Sequence, residues 1–281
     1  MPKSILITGC SSGIGLCVAQ GLHERGHQVF ATARRREDVE RLRSTGLTSL
    51  VLDLDDSASI RDALDEVLRQ TSGTLDALFN NGAYGQPGAV EDLRREVLRA
   101  QFETNVFGPL ELTNRVLPVM RRQGHGRIIQ NSSVLGFVAL PYRGAYNASK
   151  FALEGLTDTL RLELAGTGIH LSLIEPGPII SRFRENAYAA YQRNIDKTGS
   201  AHRDRYEAME NRLTTQGSVA PFTLPPEAVL KCVVHALESP HPRIRYRVTL
   251  PTHAFAILQR LLPDKGMDWL LRRIAAAESR R

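Results

Sequence analysis

A glycine-rich turn, TGCSSGIG at residues 8–15, follows an apolar segment directly and runs straight into a helix-length amphipathic stretch. Glycine has no Cβ, so the backbone can bend sharply and approach a bound group closely. The start of a helix offers unpaired N–H groups and the positive end of the helix dipole, which together favour an anion. A strand, a glycine turn and a helix in that order restrict the chain to a βα framework. The turn is either an ordinary tight connection or a cradle for a phosphate.

The rest of the chain repeats the same alternation. Short apolar or β-branched runs predict strands over 4–8, 28–33, 48–53, 77–80, 127–131, 170–175 and 245–250. Helical patterns occupy 13–25, 37–44, 57–71, 91–105, 109–123 and 145–165. Strand segments such as Ile128–Ile129 are apolar on both faces, as in a parallel sheet covered by helices. The expected fold is α/β, a single Rossmann-like doubly wound parallel sheet with helices on both faces. With 42% hydrophobic and 23% charged residues the chain has a core to bury, which excludes global disorder. From about 178 to 224 the periodicity breaks down, and a segment that long is functional or partly helical. Pro225–Pro226 opens a further helix that ends at 239–242. The chain is therefore divided into a nucleotide-binding and catalytic domain at 1–250, with a substrate loop near 178–224, and a C-terminal helical extension at 251–281.

Gly9, Gly13 and Gly15 have G-xxx-G-x-G spacing, suited to a pyrophosphate. The second strand ends in Ala33 and is followed by Arg34, Arg35 and Arg36. An acid there would hold a ribose 2′-hydroxyl and repel a 2′-phosphate, so Ala33 with Arg34 favours NADP(H) over NAD(H). The plainer reading is a solvated basic cluster beside Glu37 and Asp38. Asp53–Leu54 is placed to border an adenine, although Asp53 also fits the start of an acidic turn with Asp55 and Asp56. Cys10 is read as a small loop filler rather than an activated thiol.

A second pattern carries reactive chemistry. Tyr146-x-x-x-Lys150 at the start of the long helix puts both side chains on one face. A free phenol titrates near ~10, so acid–base work at neutral pH needs a neighbouring cation to stabilise the phenolate. Ser133, at the end of another strand, can hydrogen-bond a substrate oxygen. Each has a dull alternative: a packing tyrosine, a solvated serine, a lysine exposed beside Glu154, and Asn105 as a helix-end cap.

Taken together these motifs resemble the short-chain dehydrogenase/reductase family over residues 4–181, through TGCSSGIG, Asp53–Leu54, Asn80–Asn81–Gly82, Asn105, Ser133, Tyr146, Lys150 and Pro176–Gly177. CSSGIG, YNASKFALEGL and the tail element RYRVTLP…RLLP are similar to its hydroxysteroid and retinol dehydrogenase branch. The resemblance implies Tyr146 as general acid/base, Lys150 as ribose ligand and perturber of the tyrosine, Ser133 as carbonyl ligand, and Asn105 as support for a water chain. It implies that Asn80 braces the sheet near the ribose and that Ser11, Ser12 and Arg34 meet the 2′-phosphate, with Ile14, Gly82, Pro176, Gly177 and Ser181 also lining the cofactor. Two departures stand out: NNGA replaces the family's NNAG, and Ser181 replaces its usual threonine.

The implied activity is reversible NADP(H)-dependent reduction of an apolar aldehyde or ketone. Alternatives are a steroid or retinol dehydrogenase acting mainly in oxidation, and a non-catalytic NADP(H) sensor. The excess of 36 basic over 30 acidic residues is small and spread out, and no nucleic-acid-binding motif accompanies it. Three cysteines and eight histidines show no metal-ligand spacing. No apolar run reaches the ~18 residues of a membrane span, and the glycine turn comes too early for a signal-peptide core. A cytoplasmic protein, paired as a homodimer as the family commonly is, follows as the expectation. In the tail, apolar residues from Phe255 to Ile274 recur at helical spacing beside Arg260, Lys265, Arg272, Arg273, Arg280 and Arg281. That face is read as a lid over the substrate pocket, with a peripheral membrane contact as the other use.

Overall fold

A computed structural model describes residues 2–215, 217 and 220–278. Seven strands form one sheet: β1 (Ser4–Ile7), β2 (Gln28–Ala33), β3 (Thr48–Val51), β4 (Ala77–Asn80), β5 (Gly126–Asn131), β6 (Ile169–Glu175) and β7 (Arg245–Arg247). All neighbours run parallel in the order β3-β2-β1-β4-β5-β6-β7. The order reverses beside β1, and a doubly wound sheet binds its ligands in the crevice outside the carboxyl ends of the strands at such a reversal.

Both faces are buried, as the apolar strands require. In β1, Ile5 and Ile7 point to one face and Leu6 to the other, following the two-residue period of a strand. The first face is covered by α1 (Gly13–Glu24), α2 (Arg36–Ser44) and α9 (Glu227–Glu238), which contribute Val18, Leu22, Val39, Val229 and Val233. The second is covered by α3 (Ser57–Gln70), α5 (Gly108–Gln123) and the end of α6 (Gly144–Glu163), through Ile60, Leu64, Leu112, Val116 and Leu160. The doubly wound parallel architecture expected from the alternating pattern is therefore present.

Two expectations are corrected. The helix expected over 91–105 is broken: a 3-10 turn at Val90–Asp92 precedes α4 (Arg95–Phe102), and a π-turn at Glu103–Phe107 joins α4 to α5. Asn105 sits in that π-turn, and such single turns frequently interrupt helices at functional sites. The strand expected over 245–250 stops at Arg247, the partner of the last β6 residue Glu175, and Leu250–Pro251 instead open α10 (Leu250–Leu261). Proline at the second position suits a helix start, where its missing N–H has no partner to lose. The unpatterned 178–224 stretch is partly helical, as its length suggested, and holds α7 (Phe183–Asn194) and α8 (Arg203–Thr214). Their buried residues are Ala187, Ala190, Tyr191 and Tyr206, small or aromatic rather than aliphatic, which hides the period. The tail continues as α11 (Asp264–Glu278), while Arg280 and Arg281 lie outside the described residues.

Candidate active site

The glycine loop is held against the ends of β1 and β4 by close backbone packing. Gly9 adopts φ +71°, and a Cβ there would lie 2.6 Å from the Gly82 Cα. A Cβ on Gly15 would lie 2.3 Å from the Gly9 carbonyl oxygen. Only glycine fits at either position. Ser12 caps α1 without a side-chain hydrogen bond, which leaves the first-turn N–H groups of Gly13 and Ile14 to an incoming anion. Ser181 packs on this loop, its Cβ 2.9 Å from where a Gly13 Cβ would stand. Gly177 is fitted against the hydroxyls of Thr249 and Thr252, just after the buried Pro176.

The residue that braces the strand ends is Asn81, which the sequence reading left without a role. Its Nδ2 donates to the carbonyl oxygens of Thr8 (2.9 Å) and Gly9 (3.1 Å), while Asn131 donates to its Oδ1 at 2.9 Å. The Thr8 hydroxyl accepts from the backbone N–H groups of Asn81 and Gly82, both at 2.9 Å. Asn80 turns the other way and donates to Thr113 on α5 at 2.9 Å, so it ties β4 to α5 while its neighbour holds the glycine loop. The period-two alternation of the strand decides which of the pair faces the crevice.

Leu54 lines the back of the crevice against Gly82. The Asp53 carboxylate accepts from the Asp55 N–H at 3.1 Å, so the acidic-turn reading holds for its side chain. Arg34 is exposed and makes no ion pair among the described residues, whereas Arg35 is tied to Asp38 at 2.9 Å. Arg41 spans Asp38 (2.6 Å) and the Ser11 carbonyl oxygen (2.8 Å), putting a second cation at the loop. The Cys10 thiol is fully buried, donates to the Ile7 carbonyl at 3.4 Å and is pushed up to about 12 by burial, so it is an inert filler.

The second group assembles where β5 ends against α6. Ser133, the N-cap of a short 3-10 turn, accepts from the Leu135 N–H at 3.1 Å. Tyr146 and Lys150 lie on the first two turns of α6. Burial pushes the Tyr146 phenol up to about 12, and a hydrogen bond from Ser133 works against that shift. Lys150 is only 3% exposed, donates from Nζ to the Asn131 carbonyl at 2.7 Å and stands 5.7 Å from the Tyr146 ring centroid. Burial lowers it to about 8, and the charge of Glu154 opposes the change. Lys150 is thus no exposed surface partner of Glu154.

Asn105 is buried and fully occupied. It exchanges hydrogen bonds with the Tyr84 backbone (3.1 and 2.9 Å) and donates to Ser149 at 3.0 Å, so it positions the loop after β4 against α6. Its role as a helix-end cap does not hold.

Beside Tyr146 opens a cavity of about 190 Å³, walled by Leu135, Phe183, Met209 and Leu213, with Arg143, Arg184, Arg205 and Arg212 also in its lining. The Phe183 ring meets the Tyr146 ring edge-on at a centroid separation of 5.2 Å. α7 and α8 form one wall, and Ala275 of α11 reaches the same cavity. The site therefore offers a phenol at one end of a largely apolar chamber, with a hydroxyl and a lysine beside it, next to the glycine loop.

Sequence comparison agrees with this geometry. The short chain dehydrogenase family profile matches residues 3–192. The uncharacterized oxidoreductase YbbO of Escherichia coli (strain K12) is 45% identical over 271 residues, covering 96% of this chain and 94% of that protein. Human 17-beta-hydroxysteroid dehydrogenase type 1 is 35% identical, covering 87% and 77% of the two chains. Human retinol dehydrogenase 8 is 33% identical, covering 89% and 82%. Among solved structures, a short-chain dehydrogenase from Streptomyces avermitilis superposes with a TM-score of 0.74 at 28% identity over 92% of this chain and 93% of that one. A serine dehydrogenase complexed with NADP+ gives 0.74 at 25% identity over 88% and 95%. No helix among the described residues is long and apolar enough to cross a membrane. By profile, by relatives and by the arrangement of loop, sheet and strand ends, the chain belongs to the short-chain dehydrogenase family of oxidoreductases, with similarity to its hydroxysteroid and retinol dehydrogenase branch.

Proposed function

We propose that this oxidoreductase uses NADP(H) to reduce an apolar aldehyde or ketone reversibly, with Tyr146 as proton donor. The observation that carries the reading is Tyr146 itself: a phenol beside a buried lysine, at the end of an apolar cavity and in reach of Ser133. A phenol pushed up to about 12 keeps its proton at neutral pH, as a donor for carbonyl reduction must.

The residues fit the dinucleotide. The glycine cradle and the open first turn of α1 receive the pyrophosphate, Arg34 takes the 2′-phosphate with Arg41 beside it, and Leu54 and Asp53 border the adenine. When bound, the reduced nicotinamide supplies the hydride that adds to the carbonyl carbon. Ser133 orients the carbonyl oxygen by a hydrogen bond, and Tyr146 gives that oxygen its proton as charge develops. Lys150 holds the ribose and, as an ammonium, stabilises the phenolate left behind. In the oxidative direction the phenolate takes the proton back.

Support for a largely apolar substrate comes from the Leu135, Phe183, Met209 and Leu213 wall of the chamber, which also carries four arginines, and from relatives named for a steroid and for retinol. Those names also favour a second reading, a dehydrogenase working mainly in oxidation; the two share one transition state and differ in cofactor ratio. Ala275 at the cavity favours α11 as a lid over a membrane contact. A homodimer, as is common in the family, remains our proposal for the assembly.

The test is Tyr146→Phe, assayed by NADPH oxidation over aldehydes of increasing length, ketosteroids and retinal. Loss of general-acid catalysis should lower kcat by about 10²–10⁴-fold with cofactor binding retained. A Tyr146→Phe enzyme with wild-type kcat would refute the assignment. Absence of turnover by the wild-type protein on every substrate class would favour a sensor.

A further inference from the structure

The end of β5 presents three consecutive polar residues, and each meets a different side chain of one α6 face. Asn131 accepts from Lys150 through its carbonyl, Ser133 stands near the Tyr146 phenol, and the Ser132 hydroxyl lies near Glu154 beside Gly136 without hydrogen-bonding it. Tyr146, Lys150 and Glu154 follow one another at four-residue spacing, so they stack along a single stripe of the helix. The mechanism above uses the first two. Glu154 is only 7% exposed, and a buried carboxylate needs partners.

Its partners come from the neighbouring strands. The Arg245 guanidinium on β7 donates to Glu154 at 3.1 Å and also to Asp158 at 2.6 Å. It is paired at 2.9 Å with Glu175 on β6, whose other oxygen is 3.4 Å from Arg247. The groups facing Glu154 are therefore Lys150 and Asp158 from its own helix, Ser132 from the end of β5, Glu175 from β6, and Arg245 and Arg247 from β7. Gly136 closes the space on the remaining side: a Cβ there would lie 2.6 Å from the Ser132 hydroxyl and 3.1 Å from the Glu154 Oε1. The carboxylate is thus fixed one turn behind the lysine with little room to turn away.

We propose that Glu154 is a positioning residue of the reaction: its carboxylate, held by Arg245 one helical turn behind Lys150, keeps that lysine an ammonium and thereby sets the pH range in which Tyr146 passes its proton. The proposal rests on the assignment of Tyr146 and Lys150 as the reacting pair. Burial draws Lys150 down to about 8 while Glu154 opposes the change. Glu154 is lifted to about 7 by burial, with Glu175 adding repulsion and Arg245 opposing. The two groups titrate close together, so the charge of one is felt by the other. A nearby negative charge raises the affinity of both lysine and phenol for their protons, and its removal lowers both.

The experiment is Glu154→Gln, which keeps size and an acceptor for Arg245 but removes the charge. In NADPH-driven carbonyl reduction, the high-pH limb of kcat/KM should move to lower pH by about half to one unit. NADPH affinity at pH 6 should stay within about twofold of wild type. Glu154→Asp, which restores the charge, should return the limb most of the way. Should Glu154→Gln fail to fold, Glu154→Met removes the same charge at similar volume and should give a shift of the same sign. Limbs at their wild-type pH with kcat uniformly reduced would overturn the proposal and leave Glu154 as a bracket between α6 and β7. Its failure is distinguishable from that of the underlying assignment, because the assignment alone falls if Tyr146→Phe retains turnover.

Discussion

Replacing Gly9 by alanine tests how tightly the cofactor loop is built into the sheet. Two penalties add. The left-handed backbone at φ +71° costs a residue with a Cβ about 1–2 kcal/mol. The new methyl would also stand 2.6 Å from the Gly82 Cα and 3.1 Å from its nitrogen, both backbone atoms. Reaching ordinary contact requires the end of β4 to retreat by about 0.8 Å, and forcing packed backbone apart costs about 1–3 kcal/mol. The sum, about 2–5 kcal/mol, is a large part of the ~5–15 kcal/mol stability of an ordinary domain. Gly46→Ala is the control, because Gly46 has φ +86° with nothing within 4 Å and carries the first penalty alone. In urea unfolding followed by circular dichroism, the Gly9→Ala midpoint should fall by about 1–2 M and that of Gly46→Ala by clearly less. NADPH affinity should drop at least about tenfold in the first variant only, since the retreat of Gly82 strains its bond to the Thr8 hydroxyl. Equal losses in the two variants would show that the loop is not packed on β4 as argued.

Two other expectations concern ligands. Arg34→Ala should raise KM for NADPH far more than for NADH, because a bidentate guanidinium–phosphate contact has no neutral substitute; equal increases measured for the two cofactors would reduce Arg34 to a surface residue. Ending the chain before Asp264 removes α11, and with it the Ala275 edge of the cavity, so KM for long-chain aldehydes should rise several-fold while that for short ones holds; unchanged kinetics with lost flotation on anionic vesicles would make α11 a membrane contact instead.

The parts of the molecule that could be read from the sequence are those where local pattern and tertiary position coincide. β1, the glycine turn and α1 are contiguous, so one stretch of sequence contains the whole cradle. Tyr146 and Lys150 are a helical turn apart, and their shared face follows from the period alone. Asn81 was missed because its importance depends on which side of β4 faces the crevice, and two adjacent asparagines look alike until the strand register is known. Arg41 was missed for a related reason: it is three residues past Asp38 on α2, and its reach back to the Ser11 carbonyl is a contact across 30 positions. α7 and α8 escaped because they bury alanine and tyrosine, leaving no aliphatic stripe to mark a helix. Glu154 had the right spacing, but a lysine and a glutamate four apart on a helix usually form an exposed pair. Only the parallel order of β5, β6 and β7 brings Arg245 and Glu175 behind them and buries the pair.

That burial has a thermodynamic sign that bears on how the site is used. Glu154 is raised from 4.5 to about 7, so the stability available with it neutral is complete below its unfolded value and is lost as pH rises through about 7. Lys150 is lowered from 10.5 to about 8, so the stability available with it neutral is complete above its unfolded value and is lost as pH falls through about 8. Between those two values both groups carry charge inside the protein, and both losses are present together. A site selected for stability alone would replace the pair by apolar residues of similar volume, which is commonly neutral or stabilising. The chain instead surrounds them with two arginines and two further carboxylates, and ties Lys150 to the Asn131 carbonyl at the end of β5. Such an arrangement holds a cation beside Tyr146 in the pH range where a phenol would otherwise have none, and the stability given up there is the physical counterpart of a lysine kept charged in a dry site.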